Sequence, residues 1–206
     1  MSKNSIGIQK ETRTFRGGKT PEKIVTVVNK KDYNKDLKNI ENKIKNIYSV
    51  SSEVVFGFTD DKNVLGFFDP NSNSIFIALD GNNDFKYETS ARHEVIHYNV
   101  FNKTNFGLKT FSITKDLIGR LEFKKSVGLA GWEENILKRF TQIQKLYPHF
   151  SYDDTIEELC CELFSGELTD GVKGGLILDK NLAYNIEDKH DFVKKLNEVM
   201  VKSLTK

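Results

Sequence analysis

The chain has 206 residues, 38% of them apolar and 11% aromatic, which supports one sizeable core and excludes a disordered polymer. A net charge of +2 gives no chain-wide field for nucleic acid. The two cysteines, Cys160 and Cys161, are neighbours and argue against a secreted disulfide scaffold.

The opening Met1-Ser2-Lys3-Asn4 leads into no hydrophobic signal segment, and no run approaches membrane-spanning length. The expected setting is therefore cytoplasmic, with no membrane contact. Abundant Lys, Asn and Ile suggest an AT-rich bacterial or phage source. Residues 1–47 carry 12 Lys/Arg against 5 Asp/Glu, a net +7 that leaves −5 over the remainder. With no nucleic-acid motif beside it, this basic arm reads as a solvated segment rather than a nucleic-acid contact.

Residues 1–21 are polar, with Gly17-Gly18 and Pro21, and read as a flexible lead-in to a single domain over 22–206. Ile24 to Val28 is short and β-branched, a strand. Residues 31–48 place apolar side chains at 37, 40, 44, 47 and 48 among lysines, the spacing of an amphipathic helix. Val54 to Phe58 is a second strand. Val64 to Phe68 and Ser74 to Leu79 are two more, joined by the turn chemistry of Asp69-Pro70-Asn71-Ser72-Asn73. Asp84 to Asn102 reads as one helix. Residues 103–131 hold four glycines and read as loops with short helical or strand pieces. Trp132 to Tyr147 is an amphipathic helix broken by Pro148, and a further helix spans about 154–165, ended by Gly166. Gly166 to Asn185 is loop-like, and residues 187–204 form a closing helix. The fold class is α+β: a small mixed sheet, then a helix, then further helices.

The chemistry concentrates at His93-Glu94-Val95-Ile96-His97, an HExxH. Positions four apart share a helix face, so both imidazoles can address one zinc ion. Glu94 beside them can take a proton from a water that zinc acidifies. A catalytic zinc usually has a third protein ligand and an open position. The short-spaced third histidine of the metzincin pattern is absent, with Val100 and Lys103 at the relevant offsets. The helix around Thr155 to Ser165 is the best source instead. Its apolar stripe at 156, 159, 160, 163 and 164 leaves Glu157, Glu158 and Glu162 beside it. One of the three is the expected ligand, with Glu158 first. The cysteines are set aside, since neighbours on a helix face different directions.

Three segments carry a family resemblance. Gly66-Phe67-Phe68-Asp69-Pro70 with the strand Ser74 to Leu79, the helix Ser90 to His97, and Glu157-Glu158-Leu159-Cys160-Cys161-Glu162-Leu163-Phe164 together resemble the zincin-like metallopeptidases of phage and mobile-element polyvalent proteins. These are relatives of the ImmA/IrrE-type peptidases. The resemblance spans roughly residues 50–165. It implies a gluzincin-like fold, a zinc cofactor, and the second Glu of the pair, Glu158, as ligand. It also implies residues 75–79 as the cleft-edge strand that an extended peptide substrate joins. Cys160, Cys161 and a leucine stand where the family often has alanine.

The expected activity is hydrolysis of a protein or peptide substrate, with His93, His97 and Glu158 as metal ligands and Glu94 as general base. An oxyanion donor can come from Tyr98, His149, Tyr152, Tyr184 or His190, with Tyr152 first because it precedes the ligand helix. Glu162 can instead orient a ligand histidine. The competing reading is a catalytically silent, zinc-stabilised interaction module. Intact Glu94 favours the enzyme.

Overall fold

The computed structural model describes residues 10–15, 23–47, 50–61, 64–79, 84–129 and 131–165. The chain divides into two compact units, Met1–Val95 and Ile96–Lys206. Among the described residues, the first contains the sheet and the second is helical. The architecture is α+β, with a five-stranded mixed sheet and five α-helices among the described residues. None of these helices is long and apolar enough to cross a membrane.

In the first unit, β1 (Lys10–Phe15) pairs antiparallel with β2 (Lys23–Val28) in full register, from Lys10 opposite Val28 to Phe15 opposite Lys23. Residues 10–15 are thus a strand within the stretch expected to be a flexible lead-in. Glu11, Thr12 and Thr14 are exposed, so β1 buries too little apolar surface to leave a sequence pattern. It is held as an edge strand by its backbone hydrogen bonds. β2 follows its β-branched run, with Val25 and Val27 buried and Ile24 outside.

α1 (Lys35–Ile47) begins where the Asn34 side chain accepts the Leu37 N–H at 2.9 Å. It buries Leu37 and Ile44, two turns apart. β3 (Glu53–Phe58), β4 (Gly66–Asp69) and β5 (Ser74–Ala78) complete the sheet in the order β1-β2-β3-β5-β4. β3 and β5 are parallel, while β4 returns antiparallel to β5. The β4–β5 turn works as its composition requires. Asp69 accepts from the Asn71 N–H at 2.9 Å and the Ser72 hydroxyl at 2.7 Å, and Asn73 takes a left-handed φ of 50°. Phe67 and Phe76, directly opposite on β4 and β5, stack with centroids 4.8 Å apart.

This order corrects the assignment of residues 75–79 as an edge strand. β5 is paired on both sides, which agrees with its continuous apolar run and full burial. Among the described residues, the outermost strand on that side of the sheet is β4. α2 (Asp84–Phe101) follows.

In the second unit, α3 (Asn105–Lys124), α4 (Gly131–Leu146) and α5 (Tyr152–Ser165) pack with the end of α2 around one core. α3 overturns the loop reading of 103–131. Thr104 caps it by accepting the Gly107 N–H at 3.1 Å. Gly107 is needed where it stands, because a Cβ there would lie 2.2 Å from the Asn99 carbonyl oxygen. The buried stripe is Thr110, Ile113, Thr114, Leu117, Ile118 and Leu121. Two of its members are threonines whose hydroxyls bond back to the carbonyls four residues before them, at 3.0 and 2.9 Å. Read as polar, they break the apparent period; satisfied internally, they do not. α5 starts with a reciprocal cap. The Asp154 N–H donates to the Ser151 hydroxyl at 3.1 Å, and the Ser151 N–H to the Asp154 carboxylate at 3.0 Å. The expected loop over 166–185 and the closing helix over 187–204 lie outside the described residues.

Candidate metal centre

α2 has no apolar stripe. From Thr89 to Val95 every side chain is buried, including Arg92, His93 and Glu94. A helix that takes ionisable groups inside does so at a cost that hydrogen bonds, charge partners or an ion must offset. His97, one turn after His93, is half-buried.

The surroundings of His97 come from α5. Its Nδ1 lies 2.8 Å from Glu157 Oε1 and its Nε2 lies 3.4 Å from Glu158 Oε2. The two adjacent glutamates therefore do different things. A carboxylate at Nδ1 accepts that N–H and fixes the tautomer in which Nε2 presents its lone pair. Glu158 then stands beside Nε2, at about the 3.4 Å that separates two ligands of one tetrahedral zinc. Glu158 thus meets one nitrogen of the ring and Glu157 the other.

One nitrogen each of His93 and His97 and the Sγ of Cys161 lie within 4.8 Å of one another. Zinc bonds of 2.0–2.3 Å allow at most about 4.4 Å between two donors, so small side-chain rotations bring this set onto one ion. The donor set of imidazole and thiol suits zinc and its softer neighbours better than magnesium or calcium. The residues fit a bound metal. Cys161, set aside on the sequence, is one of the three. The spacing was informative, since Cys161 is four residues after Glu157 and three after Glu158 and so shares their face.

Glu162 is not the residue that orients a histidine. It is buried and takes a two-pronged ion pair from Arg139 of α4, with Nε to Oε2 at 2.7 Å. Tyr152, expected to donate to an oxyanion, is 41% exposed and gives its hydroxyl to Glu122 of α3 at 3.1 Å. Its ring meets the edge of Phe140. Partial burial and then the Glu122 charge hold its phenol above the usual range. Tyr152 lies about 9 Å before Glu158 along α5 and belongs to the packing of α3, α4 and α5. His149 is exposed in the turn after α4, against Tyr147 and Phe150. Tyr98 is buried on α2, turned about 100° from His97. Tyr184 and His190 lie outside the described residues.

In the first unit, Glu94 lies against the start of β4. A Cβ on Gly66 would stand 3.2 Å from Glu94 Cγ and 3.3 Å from its Oε1. The lack of a side chain at 66 is what gives Glu94 this room.

The chain matches no family model, no curated protein and no solved structure.

Proposed function

We propose that the chain is a zinc-dependent metallopeptidase of the zincin-like type found in phage and mobile-element polyvalent proteins, acting in the cytoplasm on a protein or peptide substrate. The observation that carries this reading is the division of labour around His97. One nitrogen is engaged by Glu157 and the other faces Glu158, on a helix that also carries His93 and Glu94. A helix that only needed to pack has no use for two buried or half-buried histidines, a buried glutamate and a carboxylate at each imidazole nitrogen.

His93, His97 and Glu158 would hold the ion. Bound zinc supplies Lewis acidity, acidifying water and polarising a carbonyl. Glu157 keeps the His97 ring in one tautomer and orientation. Glu94, buried and set beside Gly66, takes the proton of the attacking water and passes it to the leaving amine. An extended substrate would lie along β4, the outermost described strand on that side, which begins at Gly66.

The Glu94→Gln variant tests the reading. It keeps the shape of the side chain and removes the base. Zinc content and melting temperature should match wild type, while cleavage of a diverse peptide library falls by about 10²–10⁴-fold. Full activity in that variant removes Glu94 from the chemistry.

A second reading, a silent zinc-stabilised interaction module, is favoured by one observation. Cys161 is a fourth potential protein donor, and four-donor zinc sites are usually structural. Zinc stoichiometry with no cleavage by wild type or by any Cys161 variant would select it.

A further inference from the structure

The group left over by this mechanism is Cys161. It is fully buried on α5, and its sulfur sits with the two histidine nitrogens. Its position on the helix gives it the same face as Glu157 and Glu158, both of which reach His97. Cys160 is turned about 100° away. Its thiol meets Thr110 and Thr114 of α3, and burial pushes it up to about 11. The two adjacent cysteines thus sit in different chemical surroundings.

Resting on the metal-site reading above, we propose that Cys161 is itself a metal ligand, its thiolate taking the coordination position that hydrolysis needs open and so holding the enzyme in a low-turnover state. Zinc is satisfied by four donors. His93, His97 and Cys161 lie within 4.8 Å of one another and would supply three, Cys161 from a helix already anchored in the core, and Glu158, 3.4 Å from His97 Nε2, would supply the fourth. A thiolate is a stronger and softer donor than water, so water competes poorly for that position. On binding, the S–H bond breaks heterolytically; the sulfur gives its electron pair to the ion and the proton leaves to solvent. No oxidant or reductant is involved.

Cobalt(II) titration of the full chain tests this without reference to activity. Wild type should develop both the visible d–d bands of a tetrahedral ion and a near-ultraviolet thiolate-to-cobalt charge-transfer band. Cys161→Ser should keep the d–d bands and lose the charge-transfer band, and Cys160→Ser should keep both. The zinc-loaded Cys161→Ala variant should cleave the peptide library about tenfold faster than wild type or more. Visible bands with no charge-transfer band in wild type would overturn the proposal, and that result needs no variant to fold. A band lost in Cys160→Ser and kept in Cys161→Ser would overturn it too, as would an unchanged or lower rate in Cys161→Ala. Failure to bind cobalt at all would sink the metal site together with this inference, so the two failures are told apart by the d–d bands.

Discussion

α2 and α5 both carry ionisable groups into the interior, and they do so in opposite ways. α2 buries them on consecutive positions, Arg92, His93 and Glu94, with no apolar face to organise them. α5 has an ordinary apolar stripe, Ile156, Leu159, Cys160, Leu163 and Phe164, and sets its charged groups beside it. Within α5 the charges divide again. Glu162 is neutralised by Arg139, a packing solution, whereas Glu157 and Glu158 are directed at one imidazole. Burial of a carboxylate therefore does not by itself mark the centre. Its partner does: a guanidinium closes Glu162 off, while Glu157 and Glu158 meet the two nitrogens of His97.

That contrast is sharpest in the variants of the three glutamates. Glu158→Ala removes a proposed ligand and leaves His93, His97 and Cys161, so zinc affinity should fall by more than about 100-fold with the fold retained. Glu157→Gln leaves all ligands and weakens the hold on the ring, so zinc affinity should drop by about 10–100-fold. If competition with a chelator ranks the two variants the other way, the ligand is Glu157. Glu162→Ala should leave zinc affinity unchanged and strip Arg139 of its partner. Breaking a buried pair costs about 3–5 kcal/mol, and Arg139 is 32% exposed, so about 2–3 kcal/mol is expected by urea denaturation. A loss of zinc in Glu162→Ala with unchanged stability would reverse its assignment.

The legibility of these features follows the physics of each. The strands at 24–28, 54–58 and 74–79 could be read because β-branched runs write a local pattern. β1 could not, because an exposed edge strand is held by backbone hydrogen bonds that any sequence supplies. The position of β5 inside the sheet is a matter of strand order, which local periodicity does not encode, although its unbroken apolar run agrees with burial on both faces. α3 was hidden by Gly107 and by two buried threonines whose role depends on the neighbouring turn and on Asn99. At the centre, the HExxH came from spacing, and the preference for Glu158 within its pair from the family resemblance. The separation of Glu157 from Glu162, and the place of Cys161, depend on how α5 is rotated about its axis. Four-residue spacing from Glu158 put Glu162 in play at the centre, and its ion pair with Arg139 on α4 takes it away.

The smallest expected effect tests how closely Glu94 is held. At Gly66 an added methyl would stand 2.9 Å from the Phe76 carbonyl oxygen and 3.2 Å from Glu94 Cγ. The first contact is with β5 backbone, which can move little, so the strand start and the glutamate must share the displacement. Overpacking of this kind costs about 1–3 kcal/mol of stability. A displacement of the base by a fraction of an ångström is worth roughly a tenfold loss in rate, since about 1 Å can cost 10²-fold. Gly66→Ala should therefore lower kcat about tenfold with zinc content unchanged, and the fall should exceed what the loss of folded protein explains at the assay temperature. Comparing kcat per mole of bound zinc in the two proteins removes the contribution of unfolding. An unchanged value would mean that Glu94 is positioned by α2 alone and that the start of β4 has no part in setting the base.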